Sequence, residues 1–348
     1  MVDKSFSMSS FLALRYIEKR GVNFTEKIPY RYPSLPLDED RILVHDSHDI
    51  GKAIENQLAT VRRSYSRVGI LLSGGMDSAV LASYLPNCDA YTFRFLGGDY
   101  QKEELQRAEY YADYYGLNLH YVDIDWNAVI TNLRPVMLSK GGPVHSIEPQ
   151  ICHAAKQAMD DGVDLMIIGD GSDYVFGGMD KLLSKEWLFD QFYQRYIYVE
   201  PEMVLNEPVS MKYLFERYRN GESIDYLGFL EVVATEESYG SYSNAFFAAG
   251  LDYFDPYEKL KMADKLDLNR IRNGESKYLI RELFSLRYPD VPIPEKLPMP
   301  RPVDTYFADW KGPVRKEFRN DIQVDQYNGN QKWLIWCLEE FLNLVDEL

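Results

Sequence analysis

The sequence predicts an α/β protein: a parallel sheet with helices on both faces, followed by a helical C-terminal lobe. Three observations carry this. Short apolar runs alternate with helical stretches between residues 68 and 169, the pattern of a parallel sheet covered on both sides. Two of the runs end in glycine-rich turns, where such sheets bind ligands, outside the carboxyl ends of strands. From residue 181 to 286 the pattern becomes helical and aromatic.

Residues 1–60 are mixed, with a Pro/Tyr stretch at 28–37 and a helical segment at 49–63. Residues 68–72 read as the first strand, 73–78 as a turn and 79–85 as a helix. A second strand is expected at 90–95. A helix follows at 102–115, with Gly116 as its C-cap. A third strand at 119–124, a helix at 149–160 and a fourth strand at 165–169 complete the alternation. Further helices are expected at 188–196, 211–219 and about 330–345, and 289–302 is an extended, proline-locked segment.

Composition narrows the class. With 38 Lys+Arg against 54 Asp+Glu in 348 residues, the net charge is −16. That speaks against a nucleic-acid groove, which needs clustered Lys and Arg to hold phosphates, though a local site for a small anion is compatible with it. At roughly 150 residues per domain, the length suggests two domains or one with a lobe. Cys88, Cys152 and Cys337 lie far apart with no CxxC, so neither a disulfide scaffold nor a zinc ribbon is expected, and a reducing compartment is. No apolar h-region opens the sequence and no apolar run reaches the ~18 residues of a membrane span. The expectation is a soluble, cytoplasmic protein that binds neither nucleic acid nor membrane.

The most informative stretch is Ser73-Gly-Gly-Met-Asp-Ser78. A buried strand runs into it and a helix starts at once. Glycines let backbone N–H groups converge on one centre, and the helix N-terminus favours an anion there. The Ser73 and Ser78 hydroxyls can add donors. Asp77 beside a phosphate is repulsive unless a divalent cation lies between them, so the arrangement implies phosphate plus Mg²⁺. A Walker loop is absent. The plainer alternative is a tight Gly-Gly turn whose Asp77 and Ser78 cap the helix. The SGGxDS motif after an apolar strand resembles the signature of PP-loop ATP pyrophosphatases, which cleave ATP between the α and β phosphates.

A second block, Gly169-Asp-Gly-Ser-Asp-Tyr-Val-Phe-Gly-Gly178, ends the fourth strand. With the first block, it resembles the synthetase domain of the asparagine synthetase family over about residues 50–310. PP-loop relatives that make NAD, GMP or thiolated tRNA share only the first block. The resemblance implies an adenine nucleotide alpha hydrolase-like fold and an enzyme that adenylates a carboxylate and transfers ammonia or an amine to it. It implies ATP and Mg²⁺, with Ser73, Gly74, Gly75, Asp77 and Ser78 holding pyrophosphate and Asp77 and Asp173 holding the metal. Leu72, Phe95, Ile168 and Gly169 would line the adenosine site. Asp170 matches the family's catalytic acid, often Glu. Lactam-forming relatives have Tyr there, so Asp170 favours the amide-forming side. Lys277, in Asn273-Gly-Glu-Ser-Lys-Tyr-Leu-Ile-Arg281, matches the family lysine that stabilises charge on the leaving pyrophosphate. Alone it reads as a surface lysine at a helix start. A partial third match keeps Gly250, Asp252, Asp255 and Pro256 but has Phe254 where relatives have Arg, so that substrate contact is not carried over.

Full-length members begin with a glutamine-hydrolysing domain whose nucleophile is a Cys exposed after Met removal. Here Val2 follows Met1 and the first Cys is Cys88. The expected organisation is a connector at 1–60 that resembles the tail of that glutamine-hydrolysing domain, the synthetase domain at 61–310 and a helical extension at 311–348. Nitrogen is expected from free ammonia, a separate glutaminase subunit or an amine on the acceptor, a small-molecule or peptide carboxylate. His145 and Glu148 read equally well as substrate contacts or as turn residues. His153 reads as a packing or surface residue and Cys152 as a small buried hydrophobe. Two rival readings are a PP-loop tRNA-thiolating enzyme and a degenerate ATP-binding scaffold.

Overall fold

The computed structural model describes residues 1–98, 101–295 and 302–348; within the proline-locked segment, 296–301 lies outside the described residues. Five strands form the central sheet: β1 (Val68–Leu71), β2 (Asp89–Phe95), β3 (Asn118–Ile124), β4 (Leu165–Ile167) and β5 (Asp252–Phe254). All neighbours are parallel and the order is β3-β2-β1-β4-β5. The chain steps outward from β1 to β3, then crosses back to lay β4 against the other side of β1. Connections leaving β1 and β4 therefore diverge, and a crevice opens beyond their carboxyl ends.

The first four strands are the four expected from the sequence. β5 is the finding that local pattern does not show. It is only three residues long, an edge strand whose pairing with β4 (Ile167 opposite Phe254) supplies its identity.

The main helices are α1 (Lys4–Leu14), α2 (Ser47–Ser64), α3 (Met76–Ala82), α4 (Lys102–Tyr115), α5 (Trp126–Lys140), α6 (Glu148–Asp160), α7 (Gly171–Val175), α8 (Thr235–Ala249), α9 (Tyr278–Arg287) and α10 (Gly329–Glu347). α4 ends on Gly116 in the left-handed conformation, φ 67°, as the sequence predicts. α5 runs through Pro135; its start is fixed by Asp125, which accepts from the Ala128 N–H at 2.7 Å. The helix expected at 211–219 is shorter, Lys212–Glu216. Gly221 at φ 61° then turns the chain into a two-residue hairpin between Arg219–Asn220 and Ser223–Ile224. α8 is preceded by a widened turn with i→i+5 bonding at Leu230–Ala234, a local re-aiming of side chains often found near functional sites. α10 opens with a capping box between Asn328 and Gln331.

The two ends of the chain share one apolar core with the sheet. Phe11 and Leu14 of α1 are buried in the same cluster as Trp333, Leu338 and Phe341 of α10. α10 also fastens the loop before α6: Trp333 Nε1 donates to the Val144 carbonyl at 2.9 Å, and Cys337 Sγ accepts from the Val144 N–H at 3.2 Å. Among the described residues, no helix is long and apolar enough to cross a membrane.

Candidate functional site

The site begins where β1 ends. Leu72 N–H still pairs with the Tyr91 carbonyl at 2.8 Å, and from Ser73 the chain turns away. The turn is held from inside: the Ser73 N–H donates to Ser78 Oγ at 3.0 Å, and the Gly75 N–H donates to Ser73 Oγ at 3.1 Å. Gly74 is required by close approach, since a Cβ there would stand 2.4 Å from the Glu104 carbonyl oxygen of α4. Asp77 lies in the first turn of α3. Its Oδ1 accepts from Ser172 Oγ at 2.7 Å.

The turn after β4 brings the remaining polar groups. α7 carries Asp173, and Gly178 packs so closely behind it that a Cβ would overlap Asp173 Oδ1. Lys277, just before α9, reaches across the cleft to both acids. Its Nζ lies 2.5 Å from Asp77 Oδ2 and 2.6 Å from Asp173 Oδ1. The lysine is 4% exposed. Burial works against its charge, but the two carboxylates overcome this and hold it well above the ordinary lysine range. Its backbone is left-handed, φ 52°, a conformation that costs a non-glycine residue and persists where surroundings enforce it.

Asp170 sits beside this cluster. Burial raises its pKa well above the ordinary aspartate range; Ser238 Oγ, donating at 2.7 Å, pulls it down, and Asp255, Asp173 and Glu237 push it up. Behind it lie two further buried acids. Asp255 accepts from the Gly171 and Tyr257 N–H groups at 2.7 and 2.8 Å. Glu258 Oε1 has no hydrogen-bond partner among the described residues. Burial first, then Asp255 and Asp170, raise the Glu258 pKa. The folded state thus keeps a proton that the unfolded chain releases near pH 4.3, so stability falls as pH rises above that value. Glu258→Gln is expected to melt about 3 °C above the wild type at pH 8 and equal to it at pH 4. Thermal melts at the two pH values check this, and no gain at pH 8 would count against it.

The twelve residues singled out from the sequence for ATP, metal and catalysis all line one cavity of about 290 Å³ between the two turns. Leu72, Phe95 and Ile168 are its buried apolar wall. Sequence reasoning missed three polar residues here. Gln101 caps the edge of β2 beyond the end of β1, its Oε1 accepting from the Phe95 N–H at 2.8 Å and its Nε2 donating to the Phe93 carbonyl at 3.2 Å. Ser172 and Ser238 orient Asp77 and Asp170. Ser172 lies inside a recognisable block; Gln101 and Ser238 carry no local signal.

His145 and Glu148 do not line the cavity. His145 Nε2 contacts Arg15 Nη1 at 2.7 Å, and Arg15 also pairs with Glu237, the neighbour of Ser238. Glu148 is buried against Lys140. Cys152 is buried on α6, and burial raises its thiol pKa. His153 is half-buried, and burial lowers its pKa. Phe254 packs against the core on β5, and its carbonyl accepts from the Ile168 N–H at 3.1 Å.

Among the described residues no three His, Cys, Asp or Glu are grouped to hold a metal ion. The pair Asp77 and Asp173 nevertheless fits Mg²⁺, which takes one or two carboxylates and completes its shell with water and phosphate oxygens. A cationic ammonium between the two acids shows that the pair is built to face positive charge.

No curated protein sequence matches this one. Among solved structures, the chain is similar to the U34-tRNA thiolase NcsA from Methanococcus maripaludis, with 13% identity and a TM-score of 0.32, over 86% of this chain and 80% of that one. It is also similar to NMN synthetase from Francisella tularensis, with 14% identity and a TM-score of 0.29, over 67% and 95%. The asparagine synthase family model matches residues 49–247. That is more than half of the chain, and the match takes in both glycine-rich turns with Asp77, Asp170 and Asp173. On that match the chain belongs to the asparagine synthase family, and so to the ATP-using PP-loop enzymes.

Proposed function

We propose that the protein is an AMP-forming amide ligase: it adenylates a carboxylate with release of pyrophosphate and transfers ammonia or an amine to it. The observation that carries the reading is the single cleft shared by the serine-glycine turn, the Asp77–Lys277–Asp173 cluster and Asp170.

Each group has a task in that chemistry. The Ser73–Ser78 turn would bind the β and γ phosphates through oriented N–H and hydroxyl groups. Leu72, Phe95 and Ile168 would exclude water from the adenosine side. Bound Mg²⁺ would neutralise phosphate charge, with Asp77 and Asp173 holding it. Lys277 would stabilise charge developing on pyrophosphate as the acceptor carboxylate attacks the α phosphorus. Asp170, whose surroundings make its carboxylate more basic than a free aspartate, would take the proton from the attacking amine as AMP leaves. Ser238 fixes its orientation.

The acceptor is a small-molecule or peptide carboxylate. Nitrogen comes as free ammonia, from a separate glutaminase subunit, or as an amine on the acceptor. The three free cysteines fit a reducing compartment, the cytoplasm.

Incubation with ATP, Mg²⁺ and a panel of carboxylates, with and without ammonium, tests the reading. The expected result is acceptor-dependent release of pyrophosphate and AMP. ADP with orthophosphate as products would overturn it, as would a tRNA complex in a gel shift with no carboxylate-dependent turnover.

A further inference from the structure

Lys277 stands where the proposed metal would. Its ammonium touches one oxygen of each carboxylate, Asp77 Oδ2 and Asp173 Oδ1. The other Asp77 oxygen is taken by Ser172 Oγ, so Oδ2 is the one aimed at a cation. Mg²⁺ binds oxygen at about 2.0–2.1 Å and would need the space that Nζ fills. A unit charge in contact with a divalent ion is also strongly repulsive in a half-enclosed cleft. Lysine and metal therefore exclude one another from this pair.

The chain around Lys277 is suited to an exchange. Its ammonium is a compact charge on a flexible stem, mounted on a left-handed residue at the start of α9. Three residues earlier, Gly274 has φ 95° and open space on its Cβ side. The same cavity is lined by the Ser73–Ser78 turn, so a polyphosphate seated on that turn offers the ammonium new oxygen partners.

We propose that Lys277 is a competing cation for the Asp77–Asp173 pair, released from it by the nucleotide's phosphates, so that the metal enters with the nucleotide and not ahead of it. The inference rests on reading Asp77 and Asp173 as the metal pair. It gives the lysine a second task, holding the two acids together until that exchange and preventing free divalent ions from occupying the site.

The test uses the full chain and Mn²⁺ as a paramagnetic stand-in, free Mn²⁺ being counted by electron paramagnetic resonance. Wild type alone is expected to bind weakly, and α,β-methylene ATP to raise the Mn²⁺ taken up beyond what the analogue binds by itself. Lys277→Met alone is expected to bind Mn²⁺ at least about tenfold tighter than wild type alone, the effect of removing one contacting like charge. That gain should vanish in Lys277→Met/Asp173→Asn. Should the methionine variant fail to fold, Lys277→Gln, which keeps a donor between the acids, takes its place with the same expectation. If a folded variant binds no tighter than wild type, the competition is overturned while the metal pair stands. If wild type with the analogue takes up no more Mn²⁺ than the analogue does alone, the reading of the pair fails and this inference with it.

Discussion

Asp77→Asn is expected to lower pyrophosphate release by at least about 10³-fold while leaving the fold intact. The loss is set by charge developed late in the reaction, where removing one preorganised group costs about 10²–10³ and loss of a metal contact adds to that. The fold should survive because the amide retains an oxygen for Ser172 Oγ, and Lys277 keeps Asp173 as partner. Initial rates of pyrophosphate release, with a thermal melt of the same sample, check both halves. A variant with more than a tenth of wild-type activity would remove Asp77 from the chemistry.

The largest stability effect is expected away from the cleft. Lys140 and Glu148 form an ion pair at 2.6 Å with side chains 2% and 0% exposed. Glu148 is fully used: Oε1 also accepts from the His145 N–H at 2.9 Å, and Oε2 from Asn244 Nδ2 at 2.7 Å. It therefore ties the end of α5, the loop before α6 and the middle of α8 into one unit. Lys140→Met leaves a buried carboxylate without its cation, a loss of about 3–5 kcal/mol. In a protein of this size that lowers the melting temperature by roughly 4–7 °C.

The pH dependence has a definite sign. Burial already raises the Glu148 pKa, with Lys140 pulling it back. Without the lysine the folded state retains a proton that the unfolded chain loses, so the penalty is small at pH 5 and grows as pH rises. Adding Glu148→Gln should restore at least half of the loss at pH 8. A single Lys140 variant melting within 3 °C of wild type at pH 8 would show that the pair is not structural.

The parts of the fold that were readable share a cause. Strands β1 to β4 and helices α4 and α6 announce themselves by runs of apolar residues and by glycine at the positions where the backbone must turn left-handed. β5 was not readable, because three residues of Asp-Tyr-Phe become a strand only when β4 offers them an edge. The widened turn ahead of α8 has no local signature either, since it depends on what the helix packs against. In the site, the two glycine-rich blocks located the cleft and the acids within it. Gln101 and Ser238 escaped because each acts on a backbone or carboxylate that only the folded chain brings near.

Sequence alone determined the α/β class, the two turns, the carboxylates at their tips and the scarcity of positive charge for a nucleotide-binding protein. Those features are written in neighbouring residues, through period, backbone conformation and charge. Tertiary structure alone decided which cation faces Asp77 and Asp173, that Glu148 is spent inside the core, and that Arg15 reaches Glu237 beside the cleft. Lys277 and Asp77 are 200 residues apart. Whether two such charges meet depends on the path of the whole chain and on the burial that makes their meeting necessary, and neither is a property of any local stretch.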